Sequence, residues 1–229
     1  MKRSKIILII LIVILAAILG LFIFSEGSHE IIGENDLGNV AKVTYYHSDN
    51  ATLKIGVVSG MHSREKLHQF VLPLASRLFA LTHPDVEIVE YRVKVTKDPE
   101  DFDKGRANGE SLVHDYVVGD VKKSDLDLVI IGHDHEPTYG EGYYIATPTM
   151  DKASVKLAGK VSKDIDFNYY KRNKTQPARS TSIKKVDTPI VKTGSKVFVY
   201  EIPEVDRKSI AFIQSYRLLE ASYNNLANI

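Results

Sequence analysis

A histidine and a glutamate that follow a short apolar stretch are the residues of this chain best suited to chemistry. The stretch from Leu53 to Val58 predicts a buried strand, and a Ser-Gly turn leads from it to His62 and Glu65. A helix beginning there places Glu65 one turn after His62, so an imidazole nitrogen and a carboxylate oxygen can converge on one metal ion. Two ligands do not hold a catalytic zinc, so the chain must supply a third elsewhere.

A second apolar strand, Leu126 to Ile131, ends in the sequence Gly-His-Asp-His. The carboxyl ends of parallel strands meet at one edge of an open sheet, so His133 can reach the ion held by His62 and Glu65. His135 is a competing ligand, and we prefer His133 because it follows the strand directly. Two imidazoles and one carboxylate favour zinc over magnesium and leave a fourth position for a water molecule.

A zinc hydrolase also needs a carboxylate that takes a proton from the attacking water. Glu201 is the best candidate, because it is the acidic residue of an otherwise apolar strand, Lys196 to Ile202. Burial in such a strand would raise its pKa towards the working pH. An outward-facing residue on a half-exposed strand is the alternative interpretation.

The elements that must position these residues alternate between strands and helices. Val86 to Val95 predicts a further strand, and helical spacing follows Ser63, Asp151 and Ser209. This order predicts an open α/β sheet, mixed or mostly parallel, with helices on both faces and the site at the strand carboxyl ends. Residues 98–109 are predicted as a charged loop with a short helix from 110 to 118, and residues 162–195 are basic and poorly periodic.

The amino terminus carries an apolar run of 19 residues from Ile6 to Phe24, flanked by Lys2, Arg3 and Lys5. Such a run spans roughly 28 Å as a helix, close to the thickness of a bilayer's hydrocarbon core. We therefore expect one transmembrane helix before the domain, with the domain on the extracytoplasmic side of the cell membrane. A cleaved signal peptide is the alternative, although its apolar core is usually about 7 to 15 residues.

The predicted organisation is an anchor in residues 1–24, a spacer in 25–50 and a hydrolase-like domain in 51–229. The chain has 30 basic and 29 acidic residues among 229, which argues against a nucleic-acid-binding surface. Cysteine is absent, so disulfides and cysteine catalysis are excluded.

Three stretches together resemble the zinc carboxypeptidase superfamily: His62-Ser-Arg-Glu65, His133 after a buried strand, and Tyr200-Glu201-Ile202-Pro203. In size and spacing the chain is most similar to the succinylglutamate desuccinylase and aspartoacylase branch. The resemblance implies one zinc ion per chain, held by His62, Glu65 and His133, with Glu201 as general base. It also implies a substrate with an amide next to a carboxylate, either a peptide or an N-acyl amino acid.

That family has an Asn-Arg pair for substrate and oxyanion binding, and the nearest match here is Arg106-Ala-Asn108 in a different order. Arg106 would hold a substrate carboxylate through two hydrogen bonds, and Asn108 would donate another, although an ordinary charged loop explains both equally well. The acid that the family commonly has two residues before its third ligand is Ile131 here.

Two other functions fit parts of the pattern. The Gly-His-x-His after a strand resembles the last motif of calcineurin-like metallophosphoesterases, but their earlier Asp-x-His and Gly-Asn-His motifs are absent. A non-catalytic surface domain of the same fold is the other alternative, and it would be indicated by Glu201 pointing away from His62 and His133.

Overall fold

A computed structural model describes residues 3–24, 27–45, 51–171 and 180–227 of the chain. Its strands are β1 (Ser28–Asn35), β2 (Gly38–Tyr45), β3 (Leu53–Ser59), β4 (Val86–Val95), β5 (Leu128–His135), β6 (Tyr144–Ala146), β7 (Asn168–Tyr170) and β8 (Lys196–Pro203). Its α-helices are α1 (Arg3–Phe24), α2 (Lys66–Thr82), α3 (Phe102–Leu112), α4 (Val118–Ser124), α5 (Lys152–Ile165), α6 (Thr188–Val191) and α7 (Lys208–Leu226). Two π-helical segments, Val113–Val117 and Ile183–Asp187, precede α4 and α6.

The strands form one mixed sheet in the order β1-β2-β4-β3-β5-β8-β6-β7. The four central strands, β4, β3, β5 and β8, run parallel, whereas β2 and β6 pair antiparallel with β4 and β8. All eight residues of β5 are buried, as expected for a central strand covered on both faces. The predicted open, mixed α/β sheet is confirmed.

Helices cover both faces of the sheet, and each face has its own apolar cluster. The first cluster joins α2, α5 and α7 to the sheet through residues such as Val71, Leu157 and Leu218. The second joins α3, α4, α6 and the π-helical segments through residues such as Leu112 and Ile190. Both layers are needed to bury the apolar central strands.

Three predictions about the connecting segments are wrong. Residues 102–109 of the predicted loop are helical, because α3 begins after Asp101, whose side chain accepts a hydrogen bond from the Lys104 N–H at 2.9 Å. Residues 28–45 of the predicted spacer form a hairpin whose second strand pairs with β4, so they belong to the sheet. Residues 181–191 are helical rather than irregular.

The apolar run at the amino terminus lies in α1, so its helical conformation agrees with the prediction. The structure describes the side chains of this helix only in part. Among the described residues, no helix is both long and apolar enough to cross a membrane.

Candidate metal centre

The loop after β3 is held in a conformation that aims His62 at the edge of the sheet. Gly60 has a φ of +81°, in the region that favours glycine, and its N–H donates to His68 Nε2 at 3.0 Å. On the other side of the loop, α3 packs directly against the loop's backbone. A Cβ added to Gly109 would lie 1.7 Å from the Met61 carbonyl oxygen. The loop is therefore fixed from both sides immediately before His62.

His62, Glu65 and His133 converge at the carboxyl ends of β3 and β5. His62 Nδ1 lies 2.8 Å from one Glu65 carboxylate oxygen, and His133 Nδ1 lies 2.9 Å from the other. One ligand atom from each residue can be chosen so that all three lie within 4.8 Å of one another. Among the described residues, this is the one group that fits a metal ion.

Asp134 fixes the relation between β5 and α2. Its carboxylate accepts hydrogen bonds from the backbone N–H groups of Leu67 and His68 at 2.6 and 2.8 Å. These are free donors of the first helical turn, so a side chain from the strand caps the helix that Glu65 precedes. Because His133 is the neighbour of Asp134, this cap also sets the distance between Glu65 and His133.

The Glu65 carboxylate and the His133 ring each stabilise the charged form of the other. Burial alone would raise the pKa of Glu65, but the charge of His133 and the hydrogen bonds from His133 and His62 lower it below its usual value. Burial alone would lower the pKa of His133, but the Glu65 carboxylate outweighs it and raises that pKa to about 9. Without a metal, Glu65 and His133 thus form an ion pair, and a metal cation can replace the proton on His133 Nδ1.

Glu201 lies on β8 directly beside His133 of β5, because the two residues are partners in the parallel register. Paired residues on adjacent strands point to the same side of a sheet, so Glu201 shares the side of His133. Burial raises the pKa of Glu201, the charge of His133 opposes this shift, and the charge of Glu65 adds to it. The structure therefore does not show the outward-facing Glu201 expected of a non-catalytic domain.

His135, the competing ligand, contacts other groups. Its Nδ1 lies 3.0 Å from the Glu136 carbonyl oxygen, and its Nε2 lies 2.9 Å from the Gly142 carbonyl oxygen. Its ring also packs near Tyr144, with centroids 5.2 Å apart. His135 holds the loop after β5 in place and is not directed at Glu65, which favours His133 as the ligand.

The two residues proposed for substrate binding are placed differently. Arg106 lies on α3 with its Nε 3.6 Å from a carboxylate oxygen of Glu110, and its side chain is 36% exposed, so it borders the centre. Asn108 donates its amide hydrogen to the Lys97 carbonyl oxygen at 2.8 Å. The structure thus brings Arg106 to the site but engages the Asn108 donor elsewhere.

Two buried acids near the centre were missed by the sequence analysis. Glu110, 1% exposed, has a carboxylate oxygen 3.7 Å from His62 Nε2. Asp187, also 1% exposed, has one carboxylate oxygen without a hydrogen-bond partner, and burial raises its pKa to about 7. The spacing of Gly105 and Gly109 was a sequence signal for the burial of Glu110, since small residues one turn apart let a helix approach other backbone closely.

No protein-family model matches this chain, and no curated protein matches it. Several solved structures do match this chain. The metallo-carboxypeptidase from Burkholderia cenocepacia superposes with a TM-score of 0.65 and 11% identity over 93% of this chain and 68% of that one. The metallo-carboxypeptidase from Pseudomonas aeruginosa, in complex with (2-guanidinoethylmercapto)succinic acid, gives 0.63 and 10% over 92% and 68%. The tripeptide-bound cell shape determinant Csd4 from Helicobacter pylori gives 0.55 and 14% over 87% and 56%.

The chain has the metallo-carboxypeptidase fold. It spans about two thirds of the length of the two carboxypeptidases and 56% of Csd4. The superfamily predicted from the sequence is supported at the level of fold, whereas the succinylglutamate desuccinylase and aspartoacylase branch stays a prediction. The fold also argues against the calcineurin-like alternative.

The donor set suits zinc. Two imidazole nitrogens and one carboxylate are the ligands of many catalytic zinc sites, and they leave a coordination position open. In this chain both Nδ1 atoms already face the same carboxylate, so the three groups need little rearrangement to share one ion. Magnesium and calcium prefer sites made of oxygen ligands.

Proposed function

We propose that this protein is a zinc-dependent hydrolase that cleaves the amide bond of a peptide or an N-acyl amino acid. The observation that carries the proposal is the register between β5 and β8, which puts Glu201 beside His133 and on the same side of the sheet. His133 converges with His62 and Glu65, so a group able to move protons adjoins a group able to hold zinc. The carboxypeptidase fold supports this combination.

In the proposed mechanism, His62, Glu65 and His133 would hold one zinc ion. When bound, zinc supplies a more acidic water and polarises the carbonyl group that is attacked. Glu201 accepts the proton of the attacking water and returns it to the leaving amine nitrogen. Burial favours the protonated form of Glu201, which makes its carboxylate more basic and matches this role.

Arg106 is the proposed anchor for a substrate carboxylate. Its guanidinium is partly exposed at the edge of the centre and is held by Glu110, so some of its donors stay available. Asn108 is not included in this mechanism, because its amide already donates to Lys97.

The test is Glu201→Gln, which keeps the shape of the side chain and removes its basicity. Zinc content should be unchanged, while turnover should fall by roughly 10² to 10⁴, because an amide cannot accept the proton of water. Glu204→Gln is the matched control, since Glu204 is an exposed acid that follows the same strand. Release of free amine would be measured across a panel of N-acyl amino acids and short peptides, beside the metal content of each protein.

Two outcomes would count against the proposal. Full activity of Glu201→Gln would remove the assigned base. A panel-wide absence of amine release by the zinc-loaded wild-type protein would instead favour a non-catalytic domain of the same fold.

The location of the domain stays a prediction. We propose from the sequence that the run from Ile6 to Phe24 anchors it in the cell membrane with the catalytic domain outside, because this run is unbroken, lies behind a basic flank and includes side chains that the structure does not describe. The large apolar side chains from Ile6 to Leu15 are exposed. Protease added to intact cells should then degrade the domain, and protection until lysis would reverse the orientation.

A further inference from the structure

An open cavity of about 540 Å³ lies between α5 and the edge strand β7, and lysines dominate its charge. Lys160 and Lys163 of α5 line one part of it, and Lys171, which follows β7, lines another. Among the described lining residues, Asp166 is the one acid. Three positive charges against one negative charge leave the cavity basic, in a chain whose 30 basic and 29 acidic residues nearly balance.

The lysines of α5 form a stripe on the side of the helix that faces away from the core. Lys152, Lys156, Lys160 and Lys163 follow one another at intervals of four, four and three residues, the spacing of one helix face. Leu157 and the other buried residues of α5 lie on the opposite side. The cavity takes in Lys160 and Lys163, whereas Lys152 and Lys156 lie outside it.

The fold does not use the charges of the three cavity lysines. Among the described residues, none of Lys160, Lys163 and Lys171 takes part in an ion pair. A lysine in the last turn of a helix complements the helix dipole, which accounts for Lys163 but not for Lys171 beyond the neighbouring strand. Three like charges around one cavity repel one another, so an anion between them would stabilise all three.

Tyr169 and Gly159 give the cavity a fixed wall and leave it open. The Tyr169 hydroxyl lies 2.8 Å from Thr147 Oγ1 and 3.4 Å from the Val155 carbonyl oxygen, so the ring is held in place. Lys171 Nζ lies 4.9 Å from the centroid of this ring. Gly159 brings no side chain into the cavity, and a Cβ added there would make an ordinary contact with Tyr169 at 3.8 Å. The space therefore depends on a glycine at this position.

The sheet separates this cavity from the metal centre. Successive residues of a strand point to opposite faces, so Tyr169 and Tyr170 of β7 face different layers. Tyr170 lies on the face of the metal centre, because its ring is 6.4 Å from that of Tyr144, the residue paired with Glu201. Tyr169 packs on the other face, against the apolar cluster that includes α5. An anion in the cavity would thus contact neither the metal ligands nor Glu201.

We propose that this cavity binds a soluble anion that carries two or more phosphate groups, with Lys160 and Lys163 on one side and Lys171 on the other. Lysine is a point charge with rotatable donors and suits phosphate, whereas arginine, which the described lining lacks, supplies the paired hydrogen bonds that select a carboxylate. Walls from two elements favour a phosphate chain that enters the cavity over the flat headgroup surface of a membrane. The site is independent of the proposed hydrolase activity.

The probe is inorganic tripolyphosphate, and the measured quantity is its dissociation constant for the full-length protein in a neutral detergent. The protein is kept free of metal, because phosphate groups also bind zinc. Lys160→Gln/Lys163→Gln should weaken binding by about tenfold, since each exposed lysine contributes roughly two- to fivefold. Lys152→Gln/Lys156→Gln is the matched control. It removes two lysines from the same face of the same helix, outside the cavity, and should leave the dissociation constant within about twofold of wild type.

A further variant tests the shape of the cavity with every charge retained. Gly159→Gln places a neutral side chain between the lysines and should weaken tripolyphosphate binding about as much as the loss of Lys160 and Lys163. The fold should tolerate this change, because the added Cβ makes an ordinary contact and glutamine is a better helix former than glycine. Circular dichroism and thermal unfolding would verify that each variant is folded, and the two lysine pairs carry the test if Gly159→Gln is not.

Three results would overturn the inference. Equal weakening by the two lysine pairs, or wild-type affinity of folded Gly159→Gln, would indicate general charge attraction without a site. Failure of the wild-type protein to bind tripolyphosphate at low ionic strength would remove the site altogether. If the protein then bound micelles containing phosphatidylglycerol through the same lysines, they would belong to a membrane-facing surface instead. None of these results bears on amide cleavage by the zinc-loaded protein, which is assayed separately.

Discussion

Gly109→Ala tests whether the close approach of α3 to the loop before His62 holds the metal centre together. The added Cβ would lie 1.7 Å from the Met61 oxygen and 2.7 Å from the Met61 carbonyl carbon. Non-bonded heavy atoms prefer about 3.5 Å, so helix and loop must separate by roughly 1.5 to 2 Å. Overpacking of this kind costs about 1 to 3 kcal/mol, and the better helix propensity of alanine recovers about 1 kcal/mol at most.

The displacement acts on the site because Met61 precedes His62 and Gly109 precedes Glu110. We expect a net loss of about 1 to 2 kcal/mol of unfolding free energy and at least a tenfold loss of zinc affinity. Urea unfolding of the metal-free protein and chelator competition would measure the two effects.

Gly119→Ala is the control, since Gly119 lies in α4 and a Cβ there meets no atom within 4 Å. It should stabilise the protein by about 0.5 to 1 kcal/mol and leave zinc binding unchanged. Equal stability and equal zinc affinity of the two variants would refute the role assigned to this contact.

Three further predictions concern the charged groups. His133→Ala should abolish stoichiometric zinc and His135→Ala should retain it, as metal analysis of the purified proteins would show; the reverse result would exchange the two assignments. Because Glu65 raises the pKa of His133 to about 9 without metal, zinc binding at pH 7 should release about one proton from that ring, and affinity should rise with pH up to about 9. Calorimetry in two buffers of different ionisation enthalpy measures the proton count, and a count of zero would contradict the ion pair. The folded-state pKa of Asp187 is raised from 3.8 to about 7, so its ionisation destabilises the fold increasingly from about pH 4 to pH 7. Asp187→Asn should therefore stabilise the metal-free protein more at pH 8 than at pH 5, by about 2 to 3 kcal/mol, and a pH-independent effect would argue against a buried, ionisable Asp187.

The sequence by itself determined the features that depend on local spacing. Apolar β-branched runs predicted the four central strands, and these became β3, β4, β5 and β8. The spacing of His62 and Glu65 predicted that they meet, but they do so across a turn, in which the Glu65 N–H donates to the His62 carbonyl oxygen at 3.2 Å, and not on a helix, because α2 begins only at Lys66. Glu201 stood out because it is an acid within an apolar strand, a contrast that needs no partner to be visible.

The tertiary structure decided everything that depends on contacts between distant segments. His133 and His135 are two residues apart on one strand, so they share a face and local pattern cannot choose between them. The choice is made by Glu65 at one ring and by the Gly142 carbonyl at the other. The strand Ser28–Asn35 was missed because its largely exposed residues carry little periodicity and its place in the sheet comes from pairing with β2.

The burial of Glu110 in α3 is another feature that the sequence could not predict. In the sequence it is one acid in a polar, charged stretch, and such residues usually face solvent. Its burial follows from the approach of α3 to the loop after β3, which Gly105 and Gly109 allow, and from Thr181, which lies 71 residues away in the chain. Local periodicity records which face of an element is apolar, but a buried polar group is defined by its partners, and these are brought together only when the chain folds.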